Sequence, residues 1–405
     1  MPDERTELYA QRLAALIRQE TVSSENQTDK QKFYEFQKLL WKQFPNVFAC
    51  CEHEDFNGSF LLRWNGKLWG RGTLDTKCGL WAMLQAAEEL VQEGFTPNRD
   101  IYFVSACTEE TDGSGAQAIS AELKHRGIRF DLVLDEGGMI LEEPIGGAKG
   151  PFAMIGLGEK GCADLKFIVR SSGGHASTPG KNTPLVRLGR FMAAAENADL
   201  FRADMHPVVQ EMFRRIAATM SQPLKFILKH PGWFKKWLLK LIPEVSDPAG
   251  AMLKTTLAFT MARGSEGSNV LPQEAWVMGN MRYSHHHGGE SSIAAVRALA
   301  EKYDIETVVV DPGFSSPISD YRSEGFQLVE RAVAAIFPGV IPSPYLMTGA
   351  SDSRYMSRIC DTCIRFAPVF VSETQMDGIH GIDENVDLSA LAPAVDFYKY
   401  ILTEV

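Results

Sequence analysis

Six residues of this chain have the types and spacing for hydrolytic metal chemistry. Asp75 lies in LWGRGTLDTK, Glu109 and Glu110 follow the apolar run IYFVSACT, Asp135 and Glu136 follow FDLVL, and His380 sits in GIHGIDENV. Carboxylates at strand ends, joined by a neutral imidazole, are the donors a zinc-type hydrolytic centre requires. Amide hydrolysis there needs a polarised carbonyl, an activated water and a base to shuttle its proton. The adjacent Glu109 and Glu110 can divide two of these tasks, one ligating metal and the other taking the proton. Asp75, between Gly72 and Gly79, is placed to bridge two ions about 3.5 Å apart. A single Glu-Glu pair says little, because such pairs are common on solvated surfaces. Three acidic strand ends within one α/β unit say more.

The elements that must position these residues read as alternating helices and strands. FYEFQKLLWKQF (33–44) is amphipathic, with short strands expected near NVFACC and at GSFLLRWNG. After Asp75 come the helical run LWAMLQAAEELVQE, the strand IYFVSA, a helix at GAQAISAELKHRG and the strand FDLVLDE. Apolar strands alternating with helices predict an α/β, mostly parallel sheet. Ligands of such sheets bind at the carboxyl ends of the strands, where Asp75, Glu110 and Glu136 fall.

From about Gly158 the order becomes βαββαβ, through CADLKFIVR, PLVRLGRFMAAAEN, TTLAFTMARG, AWVMGNMRYS, SSIAAVRALAEKY and ETVVVDP. This is the pattern of a ferredoxin-like domain. It is expected to be inserted into the first domain, giving a discontinuous domain of 1–157 and 314–405 around an insert of 158–313. The segment near 201–254 is extra to that pattern. Its stretch LKFILKHPGWFKKWLLKLIP is both apolar and lysine-rich. Pro231 and Gly232 break its periodicity, so a helical insertion packed on its own domain with solvated lysines is favoured over a membrane-surface or partner-binding helix.

Composition narrows the class further. The 405 residues favour two domains, and 45% hydrophobic with 23% charged residues is globular. A formal charge of −10 argues against nucleic acid as a partner. No apolar run reaches the length of a membrane span, and the charged N-terminus MPDERTELYAQRLAALIRQE lacks a signal-peptide core. Seven scattered cysteines point to reduced thiols and a cytoplasmic location.

Seven motifs in order, GRGTLDTKCG, TEETDGSGAQ, LDEGG, SSGGHASTPG, GSNVLP, MTGASDSRY and GIHGIDENV, resemble the M20 metallopeptidases and aminoacylases, in particular the carboxypeptidase S branch. The resemblance covers essentially the whole chain. It implies an α/β zinc-peptidase domain with an inserted ferredoxin-like lid and dimerisation domain, and hydrolysis of an amide next to a free carboxylate in a dipeptide or N-acyl amino acid. It further implies that Asp75 bridges two Zn2+ ions, that Glu136 holds one, that Glu110 and His380 hold the other, and that Glu109 is the general base and acid. His175 would reach the partner subunit's active site in a homodimer paired through the lids. Asn269 and Arg282 would bind the substrate carboxylate, and Gly349 would contact substrate through its backbone.

The chain departs from the family in one place. The family carries a His-x-Asp strand end some thirty residues before the bridging aspartate, and here GSFLLRWNG runs directly into KLWGRGTLDTK. His53-Glu54-Asp55 has that spacing but precedes GSFLLRWNG and reads as a surface coincidence. Without the segment one zinc site keeps only Asp75 and Glu136, and neighbouring strands lose a partner. A single-ion hydrolase is then expected, with a catalytically impaired relative that binds peptides or amino acids without turnover as the alternative. Cys78, Cys360-x-x-Cys363 and His285-His286-His287 are read as structural.

Overall fold

The computed structural model describes residues 18–20, 31–43, 67–69, 74–106, 109–110 and 113–405. Most of the charged N-terminal stretch, the strands expected near NVFACC and GSFLLRWNG, and His53-Glu54-Asp55 fall outside them. The chain divides into residues 1–69 and 70–405. In the first part the amphipathic run forms the helix Gln31–Gln43, on whose surface Lys38 pairs with Glu35 at 2.9 Å.

The second part contains a mixed sheet and a separate antiparallel one. In the mixed sheet Ile341–Met347, Phe152–Glu159, Cys363–Arg365 and Val133–Asp135 lie in that order, with Ile140–Leu141 also paired to Phe152–Glu159. The Ile341–Met347 and Phe152–Glu159 ladder is parallel, as is that of Cys363–Arg365 with Val133–Asp135. Every residue of Phe152–Glu159 is buried, as expected of a strand covered on both faces. The helix Lys77–Gln92 packs against the C-terminal helix Leu391–Glu404. It buries Cys78, Ala82, Ala86 and Leu90, a four-residue spacing of mostly small side chains that lets two helices approach closely.

Behind the strand ends lies a buried ion pair. Arg365 is fully buried and its Nη2 approaches Glu159 Oε1 at 3.4 Å, while its Nη1 donates to the Cys363 carbonyl at 2.9 Å. Glu159 Oε2 accepts from the Ser351 amide at 2.6 Å. Burial pushes the Glu159 carboxyl up to about 7 even though Arg365 opposes the shift.

The second sheet has the order Glu306–Asp311, Gly161–Arg170, Glu274–Tyr283, Thr256–Arg263, antiparallel throughout. With the helices Pro184–Asn197 and Gly289–Glu301 it realises the βαββαβ order read from the sequence. Both helices cover one face, where Phe167, Phe191, Val277, Met281 and Val296 form the core. Glu274–Tyr283 alternates buried and half-buried residues along its length, the two-residue period of a sheet covered on one side.

Two expectations are corrected. IYFVSA is not a strand: among the described residues Ile101–Ala106 has no ladder partner, and Tyr102, Phe103 and Val104 are exposed by 42%, 43% and 37%. A run apolar enough for a central strand becomes one only where neighbouring backbone pairs with both its edges. The lysine-rich insertion is helical, comprising Pro207–Ile216, Leu224–Lys229, Lys235–Val245 and Asp247–Leu253, but it packs only in part. Leu228, Leu238 and Ile242 are buried, whereas Leu224, Phe226, Trp233 and Trp237 face outward. No helix among the described residues is long and apolar enough to cross a membrane.

Candidate metal centre and active site

Asp75 occupies the turn that opens the helix Lys77–Gln92. That turn is tied to the far end of the chain. The amides of Leu74 and Asp75 both donate to Glu384 Oε1, at 2.9 and 3.2 Å, and Glu384 is buried. His380 comes from the loop after the helix Glu373–Gly378, whose start is fixed by a reciprocal cap between Ser372 and Gln375. Gln375 Nε2 then reaches Asn385 Oδ1 at 3.1 Å, closing the loop that carries the histidine. His380 itself has φ +59°, a left-handed conformation uncommon outside glycine and of the kind that recurs at functional sites.

These supports bring three of the expected ligands together. His380 Nε2 lies 2.9 Å from Asp75 Oδ2 and 3.1 Å from Glu110 Oε2. One donor atom from each of the three falls within 4.8 Å of the others. Asp75 is 26% exposed, Glu110 53% and His380 61%, so the group opens to solvent on one side.

Around this group negative charge is crowded. Burial, then the carboxylates of Glu110, Asp352, Asp75 and Asp135, push half-buried Glu109 up to about 7. Asp352 is raised to about 6 by burial and by Asp135, against Arg354. Glu136 is pushed far up by burial first and Asp135 second, with a hydrogen bond between the two side chains. Asp135 Oδ2 in turn accepts from the Ser353 amide at 2.6 Å. Two carboxylates and an imidazole within reach of one point, backed by further acids that resist ionisation, form a donor set suited to a divalent cation. The residues present therefore fit a metal ion.

Glu136 is not in the three-residue group. It sits where the strand Val133–Asp135 turns, a turn that requires both glycines of LDEGG. Gly137 has φ +132°, and a Cβ on Gly138 would lie 1.8 Å from the Met154 carbonyl oxygen. Of the remaining expected residues, three lie on the second sheet and its arm and Gly349 follows a strand of the first. His175 and Asn269 meet on an exposed two-stranded arm, where His175 pairs with Val270 and the Ala176 amide donates to the Asn269 carbonyl at 2.9 Å. Arg282 is half-buried and its Nε donates to Asn280 Oδ1 at 3.0 Å. Gly349 lies in the loop after Ile341–Met347, where a Cβ would meet open space, so local packing does not demand glycine there.

The three side motifs are held within the fold. Cys78 is buried at the helix start, and burial pushes its thiol up to about 12. Cys360 and Cys363 are buried without a disulfide. His285 and His286 each engage a backbone carbonyl, of Ser316 at 2.9 Å and of Arg202 at 2.7 Å.

The Peptidase family M20/M25/M40 matches residues 52–404. The chain belongs to this family. It is a metal-dependent hydrolase of amide bonds, and the comparisons do not favour a relative without turnover. Human N-fatty-acyl-amino acid synthase/hydrolase PM20D1 is 30% identical over 340 residues, covering 83% of this chain and 67% of that protein. The Xenopus tropicalis protein of the same name is 28% identical, covering 98% of this chain and 86% of its own length. Its alignment runs to 441 residues against a chain of 405, so it includes residues with no counterpart here. Probable carboxypeptidase S-like 2 of Dictyostelium discoideum is 28% identical, and the match spans 83% of this chain but 65% of that relative. The solved metallo-carboxypeptidase Sso-CP2 of Sulfolobus solfataricus shares the fold at a TM-score of 0.61 and 14% identity, covering 99% of both chains.

Sequence reasoning missed three contributors: Glu384, Asp352 and the Arg365–Glu159 pair. The first two lie inside quoted motifs, GIDENV and GASDSRY, four residues past His380 and three past Gly349. The buried pair carries no local signal, because its members are 206 residues apart.

Proposed function

We propose that this chain hydrolyses the amide next to a free carboxylate, in N-acyl amino acids or dipeptides, with one divalent ion held by Asp75, Glu110 and His380. The approach of these three donors is the observation that carries the reading. When bound, the ion, zinc by family habit, supplies Lewis acidity to the scissile carbonyl and to the attacking water. Glu109, beside the ligands and raised in pKa by its neighbours, takes the proton of the attacking water and returns it to the departing nitrogen. Glu136, held by Asp135 and without the histidine that accompanies it in the family, leaves a second ion with too few protein donors.

Arg282 provides a fixed cation for the substrate carboxylate, and Gly349 leaves its backbone open to substrate. The exposed arm of His175 and Asn269 is suited to reach across a homodimer formed through the second sheet. We place the domain boundary accordingly, with 1–157 and 314–405 catalytic and 158–313 as the lid. The scattered cysteines favour the cytoplasm.

The test is hydrolysis by zinc-loaded protein of a panel of dipeptides and N-acyl amino acids, beside Glu109→Gln. General-base loss lowers kcat by about 10²–10⁴-fold. Equal rates for the two proteins across the panel would refute the reading.

A further inference from the structure

The hairpin Leu224–Val245 is the part of the molecule that the hydrolytic site does not use. It is anchored from below by Leu228, Leu238 and Ile242, which are 6%, 2% and 7% exposed. Its outer side shows Leu224, Phe226, Trp233 and Trp237, exposed by 44%, 45%, 77% and 46%. The aromatic display is held in place. Trp233 stacks on His230 at 4.7 Å between ring centroids, and Phe226 lies 5.0 Å from His230 and 6.0 Å from Phe234. Lys229, Lys236 and Lys240 share the exposed side and have no ion-pair partner among the described residues. Between Met212 and Pro243 there is no acidic residue, in a chain whose formal charge is −10.

We propose that this hairpin docks on the surface of an anionic lipid bilayer. Indole rings settle at the headgroup level, and lysines flanking them reach lipid phosphates and carboxylates while their stems stay on the apolar side. The helices Leu224–Lys229 and Lys235–Val245 have 6 and 11 residues and are separated by the Pro231-Gly232 turn. Both are too short to span, so the hairpin lies on the surface with Trp233 at its tip. Charge selects this occupant over a second copy of the chain. A two-fold contact would set the same lysines against each other. The net negative charge of the chain disfavours approach to such a surface, so a basic hairpin confines docking to one orientation. The inference does not depend on the substrate proposed above.

The experiment is co-sedimentation of the full chain with vesicles of phosphatidylcholine, or of phosphatidylcholine with roughly one third phosphatidylserine. Wild type is expected to bind the anionic vesicles, with binding weakened by salt. Each lysine near such a surface contributes about fivefold, so Lys229→Glu/Lys236→Glu/Lys240→Glu should lower partitioning at least ~100-fold. Trp233→Ser, at the most exposed position, should weaken binding while leaving the thermal midpoint and the hydrolysis of a soluble substrate unchanged. This second variant keeps the test decisive if charge reversal impairs folding. The proposal is overturned if wild type ignores anionic vesicles, if it binds neutral ones equally well, or if both variants partition like wild type. It is also overturned if light scattering shows that the substitutions dissolve a dimer while vesicle binding persists.

Discussion

Replacing Glu384 by alanine should loosen the metal centre without touching a ligand. One oxygen of this buried carboxylate accepts the amides of Leu74 and Asp75, at 2.9 and 3.2 Å. Leu74 is 1% exposed, so in Glu384→Ala its amide loses its acceptor where water has little access, a cost of about 1–3 kcal/mol. Asp75 is half-buried, and its amide is partly rehydrated at roughly half that cost. Together the two losses come to about 1.5–4.5 kcal/mol. The same turn aims the Asp75 carboxylate at His380, so zinc affinity should fall about 10–100-fold, as when a ligand's orienting partner is removed. Glu384→Gln keeps an acceptor oxygen and should lose less on both counts. Urea unfolding and calorimetric zinc titration of the three proteins measure the two effects. An alanine variant with unchanged urea midpoint and unchanged zinc affinity would refute the tether as a positioning element.

Further outcomes follow from the same geometry. His380→Ala removes the imidazole donor, so bound zinc per chain, measured by elemental analysis after dialysis, should fall from about one to near zero. Arg365→Met leaves Glu159 buried without its counter-charge and should cost about 3–5 kcal/mol in chemical denaturation. Glu159 makes stability depend on pH in a defined direction. Its folded carboxyl, at about 7, is raised above the ordinary 4.5, so its contribution is fully present below pH 4.5 and is lost as pH rises through about 7. Denaturation midpoints between pH 4.5 and 7.5 should therefore decline less steeply with rising pH in Glu159→Gln than in wild type.

Much of the candidate metal-binding group was legible because each of its residues sits in a short motif with glycines nearby. Asp75, Glu110 and His380 converge as their motifs suggested. The ferredoxin-like order was equally legible, since its strands alternate every second residue and its helices every third or fourth. What was not legible depends on distant partners. Ile101–Ala106 has the composition of a central strand, yet pairing is decided by what lies alongside, which composition does not reveal. Glu384 looks like one more loop acid until the turn it holds, 310 residues earlier, is in view. The insertion's periodicity was broken at Pro231-Gly232, which hid the fact that each half still has a buried side and a tryptophan-bearing side.

The contact between His380 and Asp75 joins residues 305 positions apart. A ribosome adding ~5–20 residues per second needs roughly 15–60 s to travel that distance. For most of that interval the nascent chain holds Asp75 and Glu110 but neither the imidazole between them nor the Glu384 that holds the turn. The growing polypeptide is thus unable to gather these three groups until residue 380 has been made. The grouping is thus a late product of translation, because Asp75 waits for an imidazole made 305 residues after it.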